Sequence, residues 1–298
     1  MISIEHVTKK YGKIAAIEDI TCSIASGSIF GLIGFNGAGK TTLLKTIAGI
    51  YRPEEGRVII GGQPVYENEG VKQHLFIVTE ELYFLPQATL QTMRWFYEGY
   101  YPNWSNRTFT RLLTILDLDP AAKIGSFSKG MQQQAGLLLA LSTRPQYILL
   151  DEAFDGLDLA RRNLMKKLLG LYVQEKKAIV IISSHNLREM EGIVDSIGMI
   201  KDHRLFFHST VKEMKASRIK YRFYCDFDVR VEDLQTAGLR QLQQEDGFYT
   251  CIAEGEGAET LARITALGAK NIQALPVTLE EFFLHEKEPE DYDLEALF

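Results

Sequence analysis

One stretch limits what this chain can fold into more than any other: Gly34-Phe35-Asn36-Gly37-Ala38-Gly39-Lys40-Thr41-Thr42. It fits the spacing G-x-x-x-x-G-K-[ST] of a phosphate-binding loop. The apolar run from Ser28 to Ile33 before it reads as a strand, and Thr42 to Ile50 after it carries apolar residues at helical spacing. Glycines let the backbone curl until successive N–H groups point inward at a phosphate chain. A helix opening near Gly39 adds its positive end. Lys40 reaches β- and γ-phosphate oxygens, and the Thr41 hydroxyl suits Mg²⁺. The expected ligand is a nucleoside triphosphate; a chance match in a Gly-rich turn would not need strand, loop and helix in this order.

Further along, Tyr147-Ile148-Leu149-Leu150-Asp151-Glu152 is a short apolar run ending in two acids, the pattern of a parallel strand buried on both faces. Carboxylates at that end of a strand lie in the crevice where α/β sheets bind ligands. Asp151 is placed to hold Mg²⁺, and Glu152 to orient or deprotonate an attacking water. Ala153–Asp158 is a turn into a helix over Leu159–Val173. A second buried strand, Ala178–Ile182, ends in Ser183-Ser184-His185, so His185 faces the same crevice or is a hydrogen-bonded filler. Ser128 in Ser126–Gln134 reads as the N-cap of an apolar helix over Ala135–Leu141, with Gly130 allowing close approach. Tyr11 either offers its ring to a purine, as base-stacking aromatics do, or is a surface residue beside a turn.

The helical pattern between Pro86 and Ile124 holds both tryptophans, Trp95 and Trp104, and several tyrosines and phenylalanines. Such density reads first as core; the sharper alternative is a docking surface, since interface centres favour Trp and Tyr. At 298 residues, a main domain plus a smaller one is expected. A net charge of −6 argues against broad nucleic-acid binding, which depends on neutralising phosphates. No apolar run is long enough to span a bilayer, and the start, Met1-Ile2-Ser3-Ile4-Glu5, lacks the basic and apolar blocks of a signal peptide. Cys22, Cys225 and Cys251 match no metal spacing and are expected as buried thiols in a reducing compartment.

Assembled, residues 1–215 resemble the nucleotide-binding subunit of ABC transporters. Gly34–Thr42 is similar to that family's Walker A and Tyr147–Glu152 to its Walker B. Ser128-Lys129-Gly130-Met131-Gln132 is similar to its signature motif and Ala153–Asp158 to its D-loop. His185 resembles the switch histidine and Tyr11 the adenine-stacking aromatic. The resemblance implies an α/β P-loop NTPase fold: a RecA-like core, a β-subdomain and a helical subdomain around residues 86–140. It implies ATP and Mg²⁺ as cofactors, with Asn36, Gly37, Ala38, Gly39, Lys40, Thr41 and Thr42 around the phosphates. Thr41, Asp151 and Glu80 would hold the metal, and Glu152, His185 and Lys40 would carry the hydrolysis. Two subunits would meet head to tail, Ser128 and Gly130 of one completing the site of the other. A separate transmembrane permease would hold the pair at the cytoplasmic face of the membrane, with no nucleic-acid partner.

This sequence departs from the family pattern at two places. Lys129 and Met131 stand where the signature usually has Gly and Gln, which is similar to the branch of bacterial exporters handling antibiotics or amphipathic peptides. Glu80 stands where a glutamine is usual. A soluble, non-transporting ABC ATPase would usually need tandem cassettes or a coiled-coil insertion; a nucleotide-sensing regulatory module remains the alternative from another class.

Residues 216–298 form a separate small α+β domain in this reading. An alternating strand (Tyr221–Phe227), a helix (Val231–Thr236) and a strand (Leu239–Gln243) come first. A hairpin at Asp246-Gly247, a strand (Phe248–Ala253), a helix (Ala258–Leu267) and a strand (Asn271–Leu275) follow. That order is the ferredoxin-like split β-α-β-β-α-β. A capped helix, Thr278–Leu284, is next, and the acidic tail beyond Pro289 reads as disordered or, through Leu294–Phe298, as a docking segment. The domain's expected role is dimerisation or regulation.

Overall fold

The structure is a computed structural model that describes residues 1–81, 84–225, 239–245, 247–254 and 257–283. It divides into two compact units, Met1–His208 and Ser209–Phe298. The division falls inside a strand, Arg204–Thr210, rather than after residue 215.

In the first unit the elements run β1 (Ile2–Tyr11), β2 (Ile14–Ile24), β3 (Ile29–Ile33), α1 (Lys40–Ile47), β4 (Glu55–Ile60), β5 (Gln63–Pro64), α2 (Glu69–Lys72) and β6 (Leu75–Val78). They continue with α3 (Leu90–Tyr100), α4 (Asn106–Leu116), α5 (Lys129–Ser142), β7 (Tyr147–Asp151), α6 (Leu159–Lys176), β8 (Ile179–Ser184), α7 (Leu187–Met190), β9 (Ser196–Lys201) and β10. Two sheets result. One has the order β2-β1-β4-β5 and is antiparallel; the other has the order β10-β9-β3-β8-β7-β6. In the second sheet β9, β3, β8, β7 and β6 pair in parallel. Strands β3, β7 and β8 are buried along their whole length, as near-continuous Ile, Leu and Val runs require. Both sheets contribute to one core that also takes in Leu43, Leu44 and Ile47 of α1.

Helix α1 ends at Ile47 instead of continuing to Ile50, because Gly49 turns left-handed at φ 66°. Its N–H bonds Thr46 O while that of Ile50 bonds Lys45 O, the paired bonds of a Schellman stop. The long helical stretch from residue 86 is two helices. Thr89 caps α3 by a reciprocal box with Thr92, and Ser105 caps α4. Leu90, Met93, Phe109, Leu112 and Leu116 face inward, but Trp95, Phe96 and Tyr100 are exposed. Of the two readings of this aromatic density, core holds only in part: Tyr97 packs against buried Phe76, while Trp95, Phe96 and Tyr100 lie off the buried stripe of α3.

In the second unit α8 (Val211–Ser217) precedes β11 (Arg218–Tyr224), β12 (Arg240–Glu245), β13 (Phe248–Glu254), α9 (Ala258–Ala266), β14 (Lys270–Leu275) and α10 (Leu279–Phe283). The four strands pair antiparallel in the order β12-β13-β11-β14, the strand order of a ferredoxin-like sheet. Tyr221, Phe223, Tyr249, Cys251 and Ile264 form its core. Thr278 and Glu281 cap α10 reciprocally. The expected helix Val231–Thr236, Phe227, Asp246, Leu284 and the acidic tail lie outside the described residues. Cys22, Cys225 and Cys251 are buried cysteines; burial pushes the Cys22 thiol up to about 12 and that of Cys251 to about 11. Among the described residues no helix is long and apolar enough to cross a membrane.

Candidate functional site

The parallel pairing fixes where the site lies. Ile33 of β3 sits opposite Ser184 of β8, and Asp151 of β7 opposite Ser183, so three strands deliver their carboxyl ends to one edge. A cleft of about 520 Å³ opens there. It is lined by Tyr11, Ala16, Asn36, Gly37, Gly39, Lys40, Thr41, Thr42, Glu80, Glu152, Asp155 and His185.

The loop between β3 and α1 forms one wall. Gly39 has φ 108°, and a Cβ there would lie 2.3 Å from Ala16 O, so both conformation and space require glycine. Lys40, 6% exposed, donates to Gly34 O at 2.8 Å and Phe35 O at 3.3 Å, and pairs with Glu152 Oε1 at 3.3 Å. Its ammonium thus stands at the mouth of the loop, compensated by carbonyls and one carboxylate. Gly34 and Ala38 shape the loop without lining the cleft: a Cβ on Gly34 would lie 2.8 Å from Ile200 O, and Ala38 N–H bonds Phe35 O.

The opposite wall turns on Glu152. Its φ of 48° is left-handed, a strained value for a residue with a Cβ. Its N–H is held by Ser183 O at 3.2 Å and Ser183 Oγ at 3.1 Å. That turn aims the carboxylate into the cleft, where Oε2 meets His185 Nδ1 at 3.0 Å. Lys40, Glu152 and His185 therefore form one connected chain. The His185 side chain is half exposed, and the Glu152 side chain is buried.

Asp151 is 1% exposed and does not line the cleft; Ser183 Oγ donates to its Oδ1 at 2.5 Å. Glu80, on the loop after β6, and Thr41 do line it. These are hard oxygen donors, the class Mg²⁺ selects, and it takes few protein ligands when phosphate oxygens complete its shell. Thr41 and Glu80 on the cleft wall fit that ion, while Asp151 lies buried next to Glu152 without lining the cleft. Tyr11 is half exposed on the rim, with its ring edge-on to Tyr51 at 6.0 Å and 87°.

Ser128 and Gly130 are not part of this cleft. Ser128 Oγ caps α5 by accepting from Met131 N at 3.3 Å. A Cβ on Gly130 would sit 2.7 Å from Gly156 O, so the start of α5 packs against the turn after β7. Beside that contact Lys129 Nζ pairs with Asp155 Oδ2 at 2.5 Å. The hydrogen bond raises the ammonium's pKa and lowers that of the carboxyl. Ala16, Asp155 and Ser183 were not singled out from sequence. Asp155 lies in a turn whose position after an Asp-Glu strand end was the available signal. Ser183 had none, because a serine inside an apolar strand reads as filler.

Comparison with known proteins gives concordant results. The family model described as "ABC transporter" matches residues 17–155. The "ABC transporter ATP-binding protein YtrB" of Bacillus subtilis (strain 168) is 28% identical over 284 residues, covering 95% of this chain and 97% of that protein. The "Bacitracin transport ATP-binding protein BcrA" of Bacillus licheniformis is 28% identical over 224 residues, covering 74% and 73%. Among solved structures, a dimeric ATP-binding cassette in a post-hydrolysis state with ADP and Pi superposes at a TM-score of 0.64. It is 22% identical, with 71% of this chain and 99% of that one covered, and it shares the fold.

Proposed function

This chain carries the ATP-binding domain of the ABC transporter family, and we propose that two such domains close head to tail over ATP and hydrolyse it to drive a membrane exporter. The observation that carries the reading is a separation. Lys40, Glu152 and His185 share one cleft, while Ser128 and Gly130, the residues expected to clamp the γ-phosphate, lie outside it. A second copy would supply them, making ATP the ligand shared by both chains.

Within the cleft each side chain has a defined task. Backbone N–H groups of the loop and of the first turn of α1, apart from that of Ala38, cradle phosphate oxygens, and Lys40 exchanges loop carbonyls for them. Thr41, Glu80 and Asp151 would hold Mg²⁺, which when bound neutralises phosphate charge. Glu152, fixed between Lys40 and His185, orients water and accepts its proton. His185 holds Glu152 through Nδ1, leaving its half-exposed ring to meet the γ-phosphate. Tyr11 supports the base from the rim.

The exposed Trp95, Phe96 and Tyr100 on α3 give this unit an aromatic face of the composition interface centres favour. We assign it to the permease, which would hold the chain peripherally at the cytoplasmic side of the membrane. The relation to a bacitracin transport protein supports a cargo among antibiotics or amphipathic peptides. Residues 209–298 would serve assembly or regulation.

The test is Glu152→Gln. Loss of a general base costs roughly 10²–10⁴-fold in rate, so the variant should bind ATP with Mg²⁺, cease turnover and elute as a dimer. Cysteines placed at Ser128 and Asn36 should cross-link between chains only in that state. Hydrolysis at the wild-type rate refutes the role of Glu152, and a monomer under trapping conditions refutes the shared site.

A further inference from the structure

A carboxylate outside the cleft is buried without being part of any hydrophobic or metal-binding arrangement described above. Glu189, on the short helix α7, is 6% exposed. Its Oε2 accepts from Ser184 Oγ at 2.7 Å, and its Oε1 faces Arg162 Nη2 at 3.4 Å. Burying a carboxylate is costly unless a cation and hydrogen bonds compensate it, and losing one partner of such a pair costs more than the pair is worth. The contacts it makes are therefore ones the fold is built to keep.

Those contacts run in two directions. Ser184 directly precedes His185, and its Oγ also accepts from Asn186 N at 2.9 Å; Asn186 Oδ1 in turn accepts from Arg188 N at 3.0 Å. The turn that presents the histidine is thus fastened on both flanks, with Glu189 as its anchor. On the other side, Arg162 Nη2 donates to Leu157 O at 3.4 Å, in the turn that carries Asp155 into the cleft. Among the described residues the buried Nε of Arg162 has no partner, and Glu189 and Leu157 O are the acceptors on that guanidinium. Lys166, a further cation beside Arg162, donates to Glu191 O at 2.9 Å.

We propose that Glu189 is a positioning residue for hydrolysis: it locks the His185 turn to the Asp155 turn through Ser184 and Arg162, and so fixes His185 against Glu152. The inference rests on the role assigned to His185. A purely structural pair between α6 and α7 would lower stability but act equally with or without the histidine.

The experiment is a double-mutant cycle in the full-length chain, reading MgATP hydrolysis and, separately, the Kd of a fluorescent ATP analogue. Glu189→Gln keeps the shape, removes the charge, and should lower kcat roughly ten- to a hundredfold, the range for displacing a reacting group by about an ångström. The Kd should not change, because none of these residues touches the loop that holds the phosphates. In a His185→Ala background, Glu189→Gln should cost nothing further. Should Glu189→Gln fail to fold, Ser184→Ala decides, because it unfastens the turn while leaving Glu189 paired with Arg162; it should lower kcat in the same direction and likewise lose its effect without His185. A wild-type kcat in the variant that decides, or an equal loss in both histidine backgrounds, overturns the inference alone. A wild-type kcat for His185→Ala sinks the histidine's role and this inference with it.

Discussion

Ser183→Ala is the sharpest test of how the site is held. Ser183 is fully buried on β8, and its hydroxyl does two jobs: it donates to Asp151 Oδ1 at 2.5 Å and accepts from Glu152 N at 3.1 Å. Alanine keeps the strand pairing but leaves a carboxylate that is 1% exposed without that donor. A hydrogen bond to a charged group contributes about 1.5–3 kcal/mol. The N–H of Glu152 retains Ser183 O at 3.2 Å, so its share of the loss is small. The expected destabilisation is thus ~2 kcal/mol, which lowers Tm by roughly 4–8 °C for a unit of this size. Both tryptophans, Trp95 and Trp104, lie in the first unit, so a fluorescence melt reads that unit separately from the second. Turnover should fall as well, because Glu152 holds its left-handed φ of 48° against strain and loses one of two acceptors doing so. A melt and a kcat both matching wild type would show that the Ser183 hydroxyl carries none of this load.

Two further outcomes follow from charges around the cleft. Lys129 and Asp155 are each about half exposed, so a cycle of Lys129→Gln and Asp155→Asn should give a coupling of only about 0.2–1 kcal/mol, shrinking in salt. Because the hydrogen bond from Lys129 holds the carboxyl of Asp155 below its ordinary range, that coupling should be present at neutral pH and vanish as pH falls through the lowered value. Glu80→Gln removes one negative charge from the cleft and should tighten ATP binding measured without metal by about 1 kcal/mol, roughly fivefold; equal affinity in both proteins would mean that Glu80 does not face the phosphates.

Much of the architecture was readable because its physics is local. Buried parallel strands announce themselves as short runs of Ile, Leu and Val, and β3, β7 and β8 fall within a residue or two of the runs that predict them. Gly39 must be glycine for reasons of φ and space that a loop motif encodes directly. What could not be read depends on partners distant in sequence. Met93, Phe96 and Tyr100 share one helical spacing, yet Met93 is buried while Phe96 and Tyr100 are exposed; what packs on α3 decides which of them turns inward. Ser183 matters because β8 pairs with β7 in a register that sets it opposite Asp151, and no single segment carries that information. The retreat of Asp151 behind Glu152 has the same origin: a strand end with two acids shows one of them to the cleft, and the register chooses which.

Charge supplies the last step in the case for a divalent cation. Glu80, Glu152 and Asp155 line the cleft against Lys40, with Asp151 buried behind and Lys129 already paired to Asp155. A nucleoside triphosphate entering there brings several negative charges toward an edge that is itself negative. The backbone N–H groups of the loop and the helix end help, but helix-end effects are typically 0.3–1 kcal/mol when exposed, too little to offset such repulsion at close range. A cation arriving with the nucleotide would offset that repulsion, and the oxygen donors of Thr41 and Glu80 on the cleft wall are of the class that suits Mg²⁺ rather than a softer metal. The glutamate at position 80 would then make the site more dependent on metal than a glutamine, and nucleotide affinity would read out metal and nucleotide together.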